Sequence, residues 1–198
     1  MENTGIVLEN VRLSYVHLMQ PYARDPKAEK KYQVTVLVPK TDTAAKAKID
    51  QAIAAATRNG LAGKWNGAAP QRVPIPVWDG DGLTQSGNEF GPECKGHWVF
   101  TASSPETKPV EVVGPDRAPI LAATQIYSGI YANIYVNFFP YNFQGKKGIG
   151  CGLGPVQKIA DGEPLGGSAP SAKSVFKAVQ AQPTPAAGSV NPLTGQPM

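Results

Sequence analysis

The stretch GIYANIYVNFFPYNFQGKKG, residues 129–148, decides the fold because its side chains alternate in character with a period of two. One alternate set is wholly apolar and consists of Ile130, Ala132, Ile134, Val136 and Phe138. The other set mixes aromatic rings with amides and consists of Gly129, Tyr131, Asn133, Tyr135, Asn137 and Phe139. Successive residues of a β-strand point to opposite faces, so we predict a strand whose apolar face meets a core. The mixed face is predicted to lie outside that core, because buried amides need hydrogen-bond partners.

The segment that follows, KGIGCGLG at 147–154, has the same period and is predicted to pair with the first strand as a hairpin. Its inward set is Ile149, Cys151 and Leu153, and its outward set is Gly148, Gly150, Gly152 and Gly154. Because this face has no side chains, it is predicted to leave an open floor, meaning unoccupied sheet surface, beside the aromatic rings. The spacing does not match the dinucleotide-binding motif G-x-G-x-x-G, whose third glycine would fall on Pro155.

The composition favours a mainly β domain. The 198 residues include 21 glycines and 19 prolines, so turns must be frequent, and short β-rich runs favour a barrel or a sandwich. Further strands are predicted at 6–16, 31–38, 96–104 and 108–113. One strong helix is predicted over 42–59, capped by Thr41 or Asp42 and ended by Asn59-Gly60. Its apolar stripe is narrow, which predicts that the helix lies against a sheet.

Three connections complete the predicted organisation. Residues 17–30 are polar and contain proline, so they are predicted to form a loop between the first two strands. Residues 60–96 are rich in glycine and proline and are predicted to wrap over the barrel, with a short edge strand near VPIPVW. Residues 118–126 fit either a short helix or an extended run.

The charge pattern permits a polyanion as a partner without requiring one. The net charge is +4, and every acidic residue lies at or before Glu163. Residues 168–198 are rich in Ala, Ser, Pro and Gln, so we predict a disordered tail after one domain over 1–167. No run of about 18 apolar residues is present, which predicts no membrane span. The sequence start lacks the features of a signal peptide, and two cysteines suit a reducing compartment.

Neither a metal site nor a catalytic frame is predicted. Asp79 and Asp81 in VWDGDG are spaced like the start of a calcium loop, but the later ligand positions are wrong and a tight turn is expected. Cys94 and His97 have a spacing that zinc could use, but Cys151 falls on the core face. Paired carboxylates and nucleophile–histidine pairs have no local support, so no enzyme activity and no cofactor are expected.

Two explanations of the aromatic face remain open from the pattern alone. Extended single strands can stack their bases on a row of exposed rings. Alternatively, the rings could be covered by the 60–96 loop or by a second subunit, since exposed aromatic rows are uncommon in monomers. The second explanation would suit a structural or assembly protein of a virion that uses this face as a subunit interface.

Several stretches together carry a family resemblance: RLSYVHLMQPY, KYQVTVLVPKTD, VWDGDG, GHWVFTASS, IYSGIYANIYVNFFPYN and KKGIGCGLGPVQKIADGEPLGG. In this order they resemble the tailed-phage single-stranded-DNA-binding proteins, formerly a domain of unknown function, over about 1–167. The resemblance implies an oligonucleotide-binding (OB) barrel that coats and protects single-stranded DNA in phage replication and recombination. It also implies work in the cytoplasm of an infected bacterium, with phage or host replication and recombination proteins or a second copy of the chain as candidate partners. Two features depart from the wider class: the tail carries no acidic tip, and the helix comes early in the strand order.

The expected DNA contacts combine this resemblance with strand alternation. Tyr131, Tyr135 and Phe139 are expected to stack on bases, and Lys31, Lys146 and Lys147 to follow the phosphates. The weaker candidates are Arg12, Lys30, Lys64, Trp65 and Arg72, which lie beside aromatic residues or in the long loop. For Trp65 and Trp78, packing on the barrel is the favoured alternative to stacking on a base.

Overall fold

The computed structural model describes residues 1–165, and the predicted tail over 168–198 lies outside the described residues. The strands are β1 (Gly5–Tyr22), β2 (Lys31–Pro39), β3 (Trp78–Asp79), β4 (His97–Pro105), β5 (Val112–Val113), β6 (Tyr131–Phe143) and β7 (Lys146–Ala160). The α-helix α1 spans Thr43–Ala62, and single turns of 3-10 helix occur at Pro92–Cys94 and Ala123–Gln125.

Five strands close into a barrel. β1 pairs antiparallel with β2 on one side and with β6 on the other, β2 pairs antiparallel with β4, and β6 pairs antiparallel with β7. A parallel contact between Ser103 of β4 and Gly152 of β7 completes the circle. The short strands β3 and β5 add to β4 and β7 respectively. This mainly β architecture with one α-helix confirms the predicted OB-type barrel.

The interior is filled by the residues that strand alternation assigned to it. Every member of the apolar set predicted from the sequence, from Ile130 just before β6 to Phe138 within it, has no exposed surface. Val34, Val36 and Val38 of β2 are equally buried, and Phe100 of β4 packs on Phe138 with ring centroids 5.9 Å apart. Each fully buried side chain of this size contributes about 1.5–3 kcal/mol relative to exposure, so one continuous core stabilises the barrel.

Helix α1 packs against the barrel through its predicted stripe. Ala45, Ile49 and Ala56 are among its buried residues, and the Asp42 carboxylate accepts a hydrogen bond from the Ala45 amide as the N-cap. The predicted end at Gly60 was wrong, because Gly60 lies within the helix. Within residues 1–165 no helix has the length and apolarity needed to cross a membrane.

The connections differ from the sequence-based expectation in two places. Residues 17–22 continue β1 instead of forming a loop, through a bulge that keeps Leu18 in the core. The strand predicted over 108–113 shrinks to Val112–Val113. The edge strand predicted near VPIPVW is confirmed as Trp78–Asp79. The helix does follow the second barrel strand, so the early helix is a feature of this barrel and not a miscounted strand.

Candidate nucleic-acid interface

The rings of Tyr135 and Phe139 lie on the outer surface of the β6–β7 hairpin and remain partly open to solvent. Their exposed fractions are 41% and 39%, so the 60–96 loop does not cover them. Phe139 lies directly opposite Gly150 in the strand register. A Cβ atom placed on Gly150 would lie only 2.8 Å from Cζ of this ring, and one placed on Gly154 only 2.5 Å from Cδ1 of Tyr135. The far end of the Phe139 ring therefore lies over Gly150, whereas the edge of the Tyr135 ring lies against Gly154.

The glycines of β7 are not the open floor that the sequence pattern predicted. Phe139 covers Gly150, Tyr135 leans over Gly154, and the Tyr135 hydroxyl reaches toward Gly5 of β1 on its other side. A side chain at any of these glycines would displace the ring, because normal carbon–carbon contacts need about 3.5–4.0 Å. The glycines thus give both rings room to lie close to the sheet.

The amides of this face serve the sheet itself. The Asn137 side-chain oxygen accepts a hydrogen bond of 2.7 Å from the Thr4 hydroxyl. The Asn133 amide donates to Gln157 at 3.0 Å, and its oxygen accepts from the Asn10 backbone amide at 3.0 Å. These bonds explain why polar residues alternate with the rings: they join β6 to its neighbours.

A groove of about 430 Å³ runs beside the two rings. Its walls bring Tyr135 and Phe139 together with Lys31 from the start of β2 and Lys108 from the loop after β4. Lys31 and Lys108 are exposed, and neither has an ion-pair partner among residues 1–165. Glu29 is the one carboxylate in the lining. Three of the six residues predicted as main contacts, Lys31, Tyr135 and Phe139, therefore share one groove.

Tyr131 lies apart from this groove. The Arg12 guanidinium carbon sits 5.9 Å from the centre of its ring, and Gly162 approaches the ring from the following segment. Arg12 also donates a hydrogen bond of 2.8 Å to the backbone oxygen of Glu163. Both predicted contacts are thus engaged with each other and with the chain after β7, and a base has less of the Tyr131 ring to stack on.

Lys147 and Trp65 have structural contacts that the sequence pattern did not reveal. The Lys147 ammonium group donates to the backbone oxygens of Trp65 and Ala68, at 3.1 and 2.7 Å, so it is not a free phosphate contact. Trp65 has no exposed surface and donates its indole N–H to the backbone oxygen of Tyr141 at 2.8 Å. The assignment of Trp65 as a stacking residue was therefore wrong, and its packing alternative is confirmed. Lys146 is exposed at the turn.

The remaining weak candidates, Lys30, Lys64 and Arg72, are all exposed, but none of them lines the groove beside Tyr135.

The loop motif around Asp79 is held in place by ion pairs with Lys40. The Lys40 ammonium group reaches Asp79 at 2.5 Å and Asp81 at 2.6 Å, and these hydrogen bonds lower the pKa of both carboxyl groups. Residues 1–165 contain no group of three or more potential metal ligands.

The two cysteines, Cys94 and Cys151, are free thiols and both are buried. Burial raises the pKa of Cys94 to about 11 and that of Cys151 to about 12. Both thiols therefore stay protonated and behave as small apolar side chains.

A family model described as "Enterobacter phage Enc34, ssDNA-binding protein" matches residues 4–184. The chain belongs to this family. Protein p50 of Acyrthosiphon pisum secondary endosymbiont phage 1 is 26% identical over 165 residues, which cover 82% of this chain and 86% of p50.

Solved structures agree with this membership. The single-stranded DNA-binding protein from bacteriophage Enc34, in complex with ssDNA, is 30% identical with a TM-score of 0.68, covering 82% of this chain and 90% of that one. A further structure of the Enc34 protein is 28% identical with a TM-score of 0.67 and covers 88% and 90%. The gp2.5 protein of bacteriophage T7 is 14% identical with a TM-score of 0.52, covers 91% and 100%, and shares the fold.

The structure contains a second aromatic surface that the sequence analysis did not predict. The rings of His17 and Tyr22 on β1 stack in parallel, 4.2 Å apart, beside a groove that also contains Tyr15 and Arg24. Tyr15 is 66% exposed and has a φ of 47°, a left-handed conformation at the bulge of β1. The signal was hidden because 17–22 reads as a polar loop and because a bulge breaks the alternation.

Proposed function

We propose that the chain binds single-stranded DNA without sequence preference and coats it during phage replication or recombination in the infected bacterial cell. One observation carries this proposal: two partly exposed aromatic rings lie against glycines in the wall of a groove that also contains two lysines without an ion-pair partner among residues 1–165. The proposed role is binding alone, with no chemical step.

Bases and phosphates would be held by different parts of this groove. Unstacked bases lie on the outward faces of Tyr135 and Phe139, where each stack contributes about 1–3 kcal/mol. Lys31 and Lys108 accompany the phosphates, and Lys146 extends the positive charge to the hairpin turn. Every base has a π-face, so stacking of this kind tolerates any sequence.

The bound strand would continue over the outer face of β2 and β4. Two residues beyond Lys31, Gln33 lines the adjoining groove that contains the stacked pair His17 and Tyr22. In OB barrels the face of the second and third strands commonly binds oligonucleotides, and here those strands are β2 and β4. Burial lowers the pKa of His17, so its imidazole is neutral near pH 7 and offers a ring rather than a charge.

The test is a double variant, Tyr135→Ala/Phe139→Ala, titrated with fluorescent oligothymidylate. Loss of two stacks predicts an affinity at least about 30-fold weaker, taking the lower limit of about 1 kcal/mol per base. Leu121→Ala is the matched control, since Leu121 is 88% exposed but lies away from this groove. A folded double variant with the affinity of the wild type would refute the proposal.

Sedimentation distinguishes DNA binding from the alternative, in which a virion protein uses the aromatic face as a subunit interface. A stable oligomer whose size does not respond to oligonucleotide would favour that alternative. For a DNA-binding protein, the affinity should also fall with salt, by a slope of about −0.7 for each phosphate contacted.

A further inference from the structure

The aromatic face of β6 does not end at Phe139. Tyr141 is the next outward residue, and it lies directly opposite Gly148 in the strand register. A Cβ atom placed on Gly148 would lie 2.5 Å from the Tyr141 hydroxyl, 2.8 Å from Cζ and 3.0 Å from Cε1. The Tyr141 ring therefore rests on a glycine of β7 in the same manner as Phe139.

A second groove, of about 620 Å³, opens beside Tyr141. The segment 72–77 forms one wall, with Arg72 and Ile75 in the lining, and Trp78 contributes an aromatic ring that is 38% exposed. This wall is anchored to the hairpin, because the Ile149 amide donates a 2.9 Å hydrogen bond to the Pro74 oxygen. Arg72 is exposed and makes no ion pair with any residue from 1 to 165.

We propose that Tyr141 is a third base-stacking position and that Arg72 contacts the phosphate of the nucleotide bound there. This inference rests on the proposed function and extends it toward the hairpin end of β6. It adds Tyr141, which strand alternation did not single out because it lies in PYNFQGKK, the segment that joins the two predicted strands.

The spacing of the supported rings adds a condition on the ligand. Phe139 and Tyr141 are two strand residues apart, which is about 7 Å along β6. This is roughly twice the 3.4 Å rise per nucleotide in one strand of a duplex. A nucleic acid that places successive bases on the two rings must therefore be extended, with these bases separated from one another. In a duplex the faces of the bases are covered by neighbouring base pairs and cannot stack on the rings.

The experiment compares affinities for oligothymidylates from about 4 to about 16 nucleotides, the usual range of site sizes for one barrel. Tyr141→Ala should bind the shortest oligonucleotides like the wild type and should lose about 5-fold or more in affinity once the oligonucleotide is long enough to reach the third ring. Tyr141→Phe should retain the wild-type affinity at every length. Arg72→Ala should reduce the salt slope by about 0.7, and only for the longer oligonucleotides.

Two further variants separate ring support from a simple loss of an aromatic residue. Gly148→Ala keeps the tyrosine but displaces its ring, and the displaced atoms are the far end of a mobile side chain, so the fold should survive. It should reproduce the length-dependent loss of Tyr141→Ala. Phe143→Ala is the control, because Phe143 is 67% exposed on the same strand but lies opposite Lys146 instead of a glycine.

Wild-type affinity of Tyr141→Ala at every length would overturn the inference, as would an equal loss in Phe143→Ala. Failure of the proposed function has a different signature. In that case Tyr135→Ala/Phe139→Ala would bind normally at all lengths, whereas failure of the third position alone leaves that double variant weak.

Discussion

Replacement of Gly150 by alanine tests the role of ring support with the smallest possible change. The new methyl group would lie 2.8 Å from Cζ and 2.9 Å from Cε2 of Phe139. Because ordinary carbon–carbon contacts need at least about 3.5 Å, the far end of the ring must rise by about 0.7 Å or swing away. If the ring is lost as a stacking surface, affinity for single-stranded DNA falls by about 1–3 kcal/mol, or about 5- to 140-fold.

The same change should leave the fold intact. The displaced ring is 39% exposed and can move into solvent, and Gly150 has no positive φ that an alanine would strain. Replacing glycine also restricts the unfolded chain, which favours the folded state by about 0.4–1 kcal/mol. Thermal unfolding should therefore show little change, while the titration shows a clear loss.

Gly152→Ala is the matched control for this variant. It adds the same methyl group to the same face of β7, but the new atom would lie 3.6 Å from Cε1 of Phe139, an ordinary contact. The two variants are compared by fluorescence anisotropy with one oligothymidylate at a fixed salt concentration. Equal affinities for Gly150→Ala and Gly152→Ala would refute the claim that the flat orientation of Phe139 matters for binding.

The other predictions concern charge. Lys146→Ala should reduce the salt slope of DNA binding by about 0.7 without changing the unfolding temperature, which a salt titration and a thermal melt measure together. Lys147→Met should lower the unfolding temperature and leave the salt slope unchanged, because it removes two hydrogen bonds to the backbone oxygens of Trp65 and Ala68. An unchanged unfolding temperature would show that these bonds contribute nothing to stability. The hydrogen bonds from Lys40 are the main reason why the pKa values of Asp79 and Asp81 are lowered. The ionised carboxylates therefore stabilise the folded state above about pH 4, and this stabilisation is lost as the pH falls below that value. Lys40→Met should flatten that acid dependence of the unfolding temperature, and an equally steep dependence in the variant would contradict the assignment.

The architecture could be predicted because strand alternation is a local signal. The apolar set of β6 and the valines of β2 are buried as expected, since period two leaves only one assignment for each side chain. The helix end was misplaced for a tertiary reason. Gly60 normally favours termination, but the buried ring of Trp65 lies against it, and a Cβ on Gly60 would be 2.8 Å from that ring.

The candidate site could be predicted only in part. Alternation places Tyr135 and Phe139 outside the core, but it cannot show that Lys31 comes from another strand to the same groove. It also cannot show that the Lys147 side chain turns back to cap backbone oxygens, because that contact joins residues 79 or more positions apart. The glycines of β7 were recognised as a bare face, yet their partners depend on strand register, which sequence pattern leaves undefined.

The contact of the rings with the glycines has a spectroscopic consequence. The α-protons of Gly148 and Gly150 lie against the faces of Tyr141 and Phe139, where ring currents shift proton resonances upfield. Each glycine thus acts as a built-in NMR reporter for the ring above it. Displacement of a single ring, whether by mutation or by an incoming ligand, should be visible in the resonance of one glycine without any label on the nucleic acid.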